Sequence, residues 1–169
     1  MRIIHLMCGL PGSGKSTYIH NYAAEDDIVI SRDQFRADLR KQLGSQEYFP
    51  VSANDEYRLW TTKCADIIAH APGNGEIWID QTSVSVGSIT KFIKTVSKFY
   101  DLSKDSVIIE MMRTPLNECL RRNALRSGYE LVPEKVILDM NKSFGDITTL
   151  KVRDAVQDYC HSILINPVI

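Results

Sequence analysis

The sequence lacks any long apolar stretch. Near the N-terminus, residues 3–8 (IIHLMC) form a short apolar segment that ends at Gly9, which is too short for the apolar core of a signal peptide. Nowhere do the roughly 20 consecutive apolar residues needed to cross a bilayer occur. We therefore expect a soluble, cytoplasmic protein that does not contact a membrane.

The sequence has neither an excess of charge of one sign nor a cluster of cysteines. The 20 basic and 21 acidic side chains give a formal net charge of −1. A protein that coats nucleic acid carries a basic excess, so a phosphate-rich partner would have to be bound by a local patch. The four cysteines are far apart in the sequence, which excludes closely spaced zinc and dithiol motifs. We expect them to be reduced, buried thiols.

Short apolar segments alternate with segments of helical spacing along all 169 residues. This alternation is typical of a parallel sheet with helices on both faces. The sequence therefore predicts one α/β domain over residues 1–169, with a five-stranded, mostly parallel sheet. The predicted strands are 3–8, 28–31, 76–80, 106–112 and 161–166. The predicted helices are 15–24, 32–43, 54–71, 86–100 and 147–160. Two further helices are predicted to open at Pro115, with Thr114 as the cap, and at Pro133.

The strongest motif is GLPGSGKS at residues 9–16, which matches the phosphate-loop pattern G-x-x-x-x-G-K-[ST] between a predicted strand and a predicted helix. Its glycines let backbone amides approach phosphate oxygens. The lysine can reach the β- and γ-phosphates, and the serine hydroxyl can ligate Mg²⁺. The motif predicts a P-loop NTPase fold that binds a nucleoside triphosphate through Gly9, Pro11, Gly12, Ser13, Gly14, Lys15, Ser16 and Thr17.

Two departures from GTPase patterns favour ATP as the nucleotide. The segment NKSF at 141–144 has Phe144 where the guanine-binding motif has an aspartate. Asp80 likewise has no glycine three residues later, because Ser83 stands there. We expect ATP and Mg²⁺ as the cofactors.

A second motif, SRDQFR at 31–36, follows the second predicted strand directly. Ser31 and Gln34 have the spacing of a capping box, so Asp33 would lie in the first helical turn and Arg36 one turn further on the same face. At the carboxyl edge of a parallel sheet this turn lies beside the phosphate loop. Asp33 could then accept the proton of an attacking hydroxyl while Arg36 steadies a phosphoryl group. Spacing alone leaves simple helix capping equally open.

The end of the third predicted strand adds another acidic residue. Asp80 could hold Mg²⁺-bound water or orient an active-site side chain, and it could also cap the following helix. We favour a role in the site, with Ser16 and Asp80 as the candidate metal-binding residues.

Three arginines precede a flexible Ser127-Gly128 pair. Arg122 and Arg126 are spaced to share a helix face, next to Arg121. A mobile basic segment of about residues 121–133 could close over ATP as a helical lid and stabilise charge on the transferred group. A solvated helix surface is the alternative.

Together, four segments resemble the kinase domain of the bacteriophage polynucleotide 5′-hydroxyl kinase family, over roughly residues 1–145. They are GLPGSGKST at 9–17, SRDQFR at 31–36, IDQT at 79–82 and RRNALRSGYELVP at 121–133. The resemblance implies that Lys15 and Ser16 contact ATP and Mg²⁺ and that Asp33 is the general base. It makes Arg36 a phosphate-binding neighbour, Asp80 a supporting acid, and Arg126, with Arg122 as the competing candidate, the arginine that contacts the ATP phosphates.

The acceptor is less well defined than the reaction. Residues 32–41 carry a basic excess that could receive a 5′-hydroxyl nucleic-acid end, and Tyr48, Phe49, Tyr57 and Trp60 could stack on bases. The helical spacing of Tyr57 and Trp60 favours a core position instead. Small-molecule P-loop kinases use the same loop and aspartate, so a nucleoside, sugar or antibiotic acceptor remains the alternative. A non-catalytic, ATP-dependent binding protein is the third hypothesis. The sequence leaves the oligomeric state open.

Overall fold

The computed structural model describes residues 1–169 and contains one five-stranded sheet in which every pairing is parallel. The strand order is β2-β3-β1-β4-β5. The predicted single α/β domain is confirmed. The strands are β1 (Ile3–Cys8), β2 (Ile28–Ser31), β3 (Ile77–Asp80), β4 (Ser106–Met112) and β5 (Ser162–Val168). The helices are α1 (Lys15–Tyr22), α2 (Arg32–Leu43), α3 (Ala53–His70), α4 (Val86–Val96), α5 (Leu116–Ala124), α6 (Glu134–Phe144) and α7 (Thr149–Val156), with 3-10 turns at Leu102–Lys104 and Gly128–Glu130.

Alternate residues of β1 face opposite layers of helices, as the two-residue period of a strand requires. Ile4 and Leu6 enter the main core, which also contains buried residues of α3, α4 and α7. Met7 faces the other side, where it packs with Ile19 of α1 and with Trp78. Helices therefore cover both faces of the sheet, as predicted.

One predicted helix cap is wrong. Thr114 does not cap α5; the residue before that helix is Pro115, and the hydroxyl of Thr114 donates instead to the carbonyl of Ser13 at 2.7 Å. This bond ties the start of α5 to the phosphate loop, 101 residues away in the sequence.

The cysteines are all unpaired and buried, as expected. Burial raises the pKa of the Cys8 thiol to about 12, against smaller opposing effects of Lys15 and Arg113. None of the helices combines the length and the apolar character that crossing a bilayer requires.

Candidate active site

A polar pocket lies at the carboxyl edge of the sheet, where β1 and β3 end. Ligands of open parallel sheets bind at this edge, beside the point where the strand order reverses. Ten of the predicted site residues line the pocket: Pro11, Gly12, Gly14, Lys15, Ser16, Thr17, Asp33, Arg36, Asp80 and Arg126. Gly9, Ser13 and Arg122 do not.

Two glycines give the phosphate loop its shape. Gly12 and Gly14 have φ angles of 81° and 93°, in the left-handed region that side chains disfavour. A Cβ at Gly12 would also lie 2.5 Å from the carbonyl oxygen of Cys119. Gly14 precedes the first residue of α1, so the first amides of that helix have no intrahelical acceptor and can bind an anion.

Gly9 and Ser13 anchor the phosphate loop through their backbone amides. The Gly9 amide donates to the carbonyl of Ser83 at 3.1 Å, and the Ser13 amide donates to the carbonyl of Leu10 at 3.1 Å. Both amides are thus used within the protein. Neither residue lines the pocket, whereas Pro11, Gly12 and the residues from Gly14 to Thr17 do.

Lys15 lies folded over the phosphate loop. Its Nζ donates to the carbonyls of Gly9 at 3.0 Å and Leu10 at 2.9 Å. Burial lowers the pKa of Lys15, and the charge of Asp80 opposes this shift. The anionic oxygens of a bound phosphate are stronger acceptors for this ammonium group than the two carbonyls.

Ser16 and Asp80 meet across the pocket. The Ser16 hydroxyl donates to Oδ2 of Asp80 at 2.7 Å, which joins the start of α1 to the end of β3. A hydroxyl and a carboxylate are hard oxygen donors, and Mg²⁺ in nucleotide sites typically uses one or two protein carboxylates together with phosphates and water. The donor set therefore fits Mg²⁺, with Ser16 and Asp80 as the residues that would hold it.

Asp33 projects from the first turn of α2 into the pocket. Ser31 caps this helix by accepting from the Gln34 amide at 3.3 Å. The second half of the predicted capping box is missing, because the Gln34 side chain donates to Asp38 at 2.8 Å instead. The Asp33 side chain is 90% exposed, and its carboxylate lies 3.8 Å from Nη1 of Arg36. It is therefore accessible to an incoming hydroxyl group.

Glu56 is a functional candidate that the sequence analysis missed. It is 1% exposed and accepts hydrogen bonds from Arg32 at 2.7 and 3.1 Å and from Arg36 at 3.0 Å. Burial alone would raise the pKa of Glu56, but the two arginines hold it below its usual range. The sequence did contain a signal for a buried position. Glu56 lies one helical turn before Trp60 and two turns before Cys64, on the buried face of α3.

Trp60 belongs to the core, so the base-stacking hypothesis for this residue is wrong and the core alternative is confirmed. Its side chain is 0% exposed, and its indole Nε1 donates to Oε1 of Gln81 at 2.6 Å. Gln81 in turn donates to the hydroxyl of Ser83 at 3.1 Å. These two hydrogen bonds fix the position of the segment that follows Asp80, which lines the pocket.

The arginines of the predicted lid have different surroundings. Arg121 and Arg122 both bind Glu118, at 2.8 and 2.7 Å respectively. Arg122 also donates to the carbonyl of Gly12 at 3.3 Å, so it braces the phosphate loop from outside the pocket. The predicted shared helix face of Arg122 and Arg126 is wrong, because α5 ends at Ala124 and Arg126 lies in the turn beyond it. There Arg126 lines the pocket without a side-chain partner.

The segment after Arg126 contacts the loop between α2 and α3. The hydroxyl of Tyr129 donates to the carbonyl of Gln46, and the Arg40 guanidinium lies 4.1 Å from the Tyr129 ring centroid. Tyr48, which accepts from Arg36 at 3.0 Å, lies 6.2 Å from the Tyr129 ring. Tyr129 has no local signal in the sequence, because Gln46, whose carbonyl it binds, is 83 positions away.

Solved structures of similar fold include kinases. One is an unliganded sugar kinase from Janibacter sp. HTCC2649, with 14% identity, a TM-score of 0.59, and 99% of this chain and 85% of that chain covered. Another is the tunicamycin resistance protein of Deinococcus radiodurans, with 18% identity, a TM-score of 0.60, and 93% of each chain covered. A third is the Pnkp1/Rnl/Hen1 complex, with 22% identity, a TM-score of 0.51, and 72% of this chain and 38% of that chain covered. None of the curated protein sequences matches the chain.

The parallel sheet and the phosphate loop at its carboxyl edge define a P-loop fold, which the chain shares with these solved structures. The sequence profile of the AAA domain family matches residues 4–147, and the chain belongs to that family.

Proposed function

We propose that this protein is an ATP-dependent kinase that transfers the γ-phosphate to the 5′-hydroxyl end of a polynucleotide. The observation that carries the proposal is the convergence of Lys15, Asp33 and Arg126 on one pocket, from three segments of the chain. A phosphate-binding cation, an exposed carboxylate and an unpaired arginine are the groups that phosphoryl transfer to a hydroxyl requires.

In the proposed reaction, the phosphate loop and Lys15 bind the triphosphate, and Asp33 accepts the proton of the acceptor hydroxyl as its oxygen attacks the γ-phosphorus. The new oxygen–phosphorus bond forms as the bond to the leaving ADP oxygen breaks. Arg126 and Arg36 stabilise the charge on the transferred group. When bound at Ser16 and Asp80, Mg²⁺ would neutralise charge on the β- and γ-phosphates.

Aromatic residues close to Arg36 support the proposal of a polynucleotide acceptor. Exposed Tyr48 lines the pocket and exposed Phe49 packs edge-on against it, with the Arg36 guanidinium 5.3 Å from each ring centroid. Such aromatic and arginine groups bind bases and phosphates of single strands. The order of the four sequence segments gives further support.

A small-molecule alcohol is the second candidate acceptor. It is favoured by the fold similarity to a sugar kinase and to an antibiotic resistance protein, each of which aligns over most of this chain.

A labelling panel tests the choice between them. The protein is incubated with γ-labelled ATP, Mg²⁺ and single-stranded DNA, single-stranded RNA, nucleosides or sugar alcohols, with 5′-phosphorylated oligonucleotides as the matched control. We expect label on 5′-hydroxyl oligonucleotides and none on the 5′-phosphorylated ones. Label on a small alcohol but on no oligonucleotide would refute the polynucleotide proposal.

A further inference from the structure

The exposed face of α4 carries a row of lysines. Lys91 and Lys94 on this helix, and Lys98 just beyond its end, are spaced to lie on one face, and residues 86–100 contain no acidic residue. None of the three lysines forms an ion pair in the structure. Their positive charges are therefore not neutralised by neighbouring side chains.

A shallow groove runs along this row. Its other lining residues carry hydroxyl groups or no side chain, and no carboxylate lines it: Gly87, Thr90, Thr95, Ser97 and Tyr159. The hydroxyls of Thr90 and Ser97 are buried without a hydrogen-bond partner. The carboxylates of Asp146 and Asp154 line a separate hollow on the other side of Gly87. The groove therefore offers three cations and no opposing carboxylate, and cations are the main protein ligands of phosphate oxygens.

Tyr57 links this groove to the catalytic pocket. Its ring centroid lies 5.4 Å from the guanidinium of Arg32, which lines the pocket, and 4.4 Å from Nζ of Lys91, which lines the groove. Tyr57 thus contacts one cationic side chain of the pocket, Arg32, whose charge Glu56 balances, and one of the groove, Lys91, which has no ion pair.

We propose that the groove of Lys91, Lys94 and Lys98, here called the α4 groove, binds the sugar-phosphate backbone of a single-stranded polynucleotide whose 5′ end occupies the catalytic pocket. The proposal rests on the proposed kinase function. Lys91 and Lys98 are separated by about 10 Å of helical rise, and stacked strands carry a phosphate about every 3.4 Å, so the row spans about three phosphates. A mononucleotide in the pocket would not extend to this row.

The test compares a long and a short acceptor in the triple variant Lys91→Gln, Lys94→Gln, Lys98→Gln. For a single-stranded oligonucleotide of about 12 nucleotides, we expect KM to rise about tenfold or more at low salt, with kcat unchanged. The slope of log Kd against log salt concentration, measured by fluorescence anisotropy, should become shallower by about 2. For a nucleoside 3′-monophosphate, KM should stay unchanged. A variant with the same charge change elsewhere, Lys104→Gln, Lys135→Gln, Lys142→Gln, controls for net charge.

Equal KM values for the oligonucleotide in the wild-type protein and the α4 variant would overturn the proposal. An equal rise for both acceptors would also overturn it, because the substitutions would then act on the pocket itself. If the wild-type protein phosphorylates no oligonucleotide, the proposed function fails separately, and anisotropy alone decides on the groove. Equal oligonucleotide binding by the wild-type protein and the α4 variant, or no binding by either, would then refute it.

Discussion

Glu56 holds Arg36 in place through a buried hydrogen bond, with 3.0 Å between Nε of the arginine and Oε1 of the glutamate. The same carboxylate also binds Arg32, so one buried residue of α3 orients two arginines at the start of α2. Because the side chain of Glu56 is 1% exposed, its carboxylate depends on the two arginines rather than on water for charge compensation.

We therefore predict that Glu56→Ala lowers the free energy of unfolding by about 3–5 kcal/mol, since it leaves two arginines without their buried counter-charge. Urea denaturation measures this change. Glu47→Ala, at an exposed glutamate in the loop before α3, is the control and should change stability little. A loss for Glu56→Ala no larger than that of the control would contradict the prediction.

Asp33→Asn tests the proposed general base. The amide keeps the size of the side chain but cannot accept the acceptor's proton, so we expect the transfer rate to fall about 10²–10⁴-fold while ATP binding is retained. Single-turnover transfer and calorimetric titration with ATP measure the two quantities. Asp38→Asn on the same helix is the matched control, because Asp38 binds Gln34 and does not line the pocket. An unchanged transfer rate for Asp33→Asn would show that Asp33 is not the base and would favour a non-catalytic role.

Substitutions of Arg121 and Arg126 in the predicted lid should change kcat to different extents, because the surroundings of the two arginines differ. Arg126 lines the pocket, whereas Arg121 is paired with Glu118 on the surface. We expect Arg126→Ala to lower kcat by about 10²–10³-fold and Arg121→Ala to change it little. Steady-state kinetics with saturating ATP make the comparison. Similar kcat values for both variants would remove Arg126 from the proposed machinery.

The stability of the fold should depend on the protonation of His5. Its ring stacks on Trp78 at 3.7 Å and binds Glu110 at 2.8 Å and Glu76 at 2.6 Å. Burial alone would lower the pKa of His5, but the two glutamates outweigh it and raise the pKa above its ordinary value of 6.5.

Because the folded state holds the proton more tightly, the stabilisation from His5 is complete below pH 6.5 and is lost as the pH rises through the folded-state pKa. We expect the free energy of unfolding of the wild-type protein to fall over that range and the profile of His5→Gln to be flatter. Denaturation at a series of pH values from acidic to alkaline tests this. Parallel profiles would show that another group is responsible.

Most of the fold was predictable because its signals are local. The five apolar segments predicted the strands, and the glycine pattern of residues 9–16 predicted the loop between β1 and α1. The position of the Asp33 turn beside that loop follows from the rule that parallel strands end at one edge. The helix ends were less accurate: α4 stops at Val96 although its apolar spacing continues to Tyr100.

The sequence by itself determined the strands, the phosphate loop and the capped turn that carries Asp33, because hydrogen bonds and side-chain periodicity within a few residues specify each of them. Only the tertiary structure decided that Glu56 orients Arg32 and Arg36, and that Arg126 faces the pocket while Arg122 binds the back of the loop. These pairings join residues 20 to 110 positions apart. The packing of α3 and α5 against the rest of the protein sets them, and no local pattern specifies that packing.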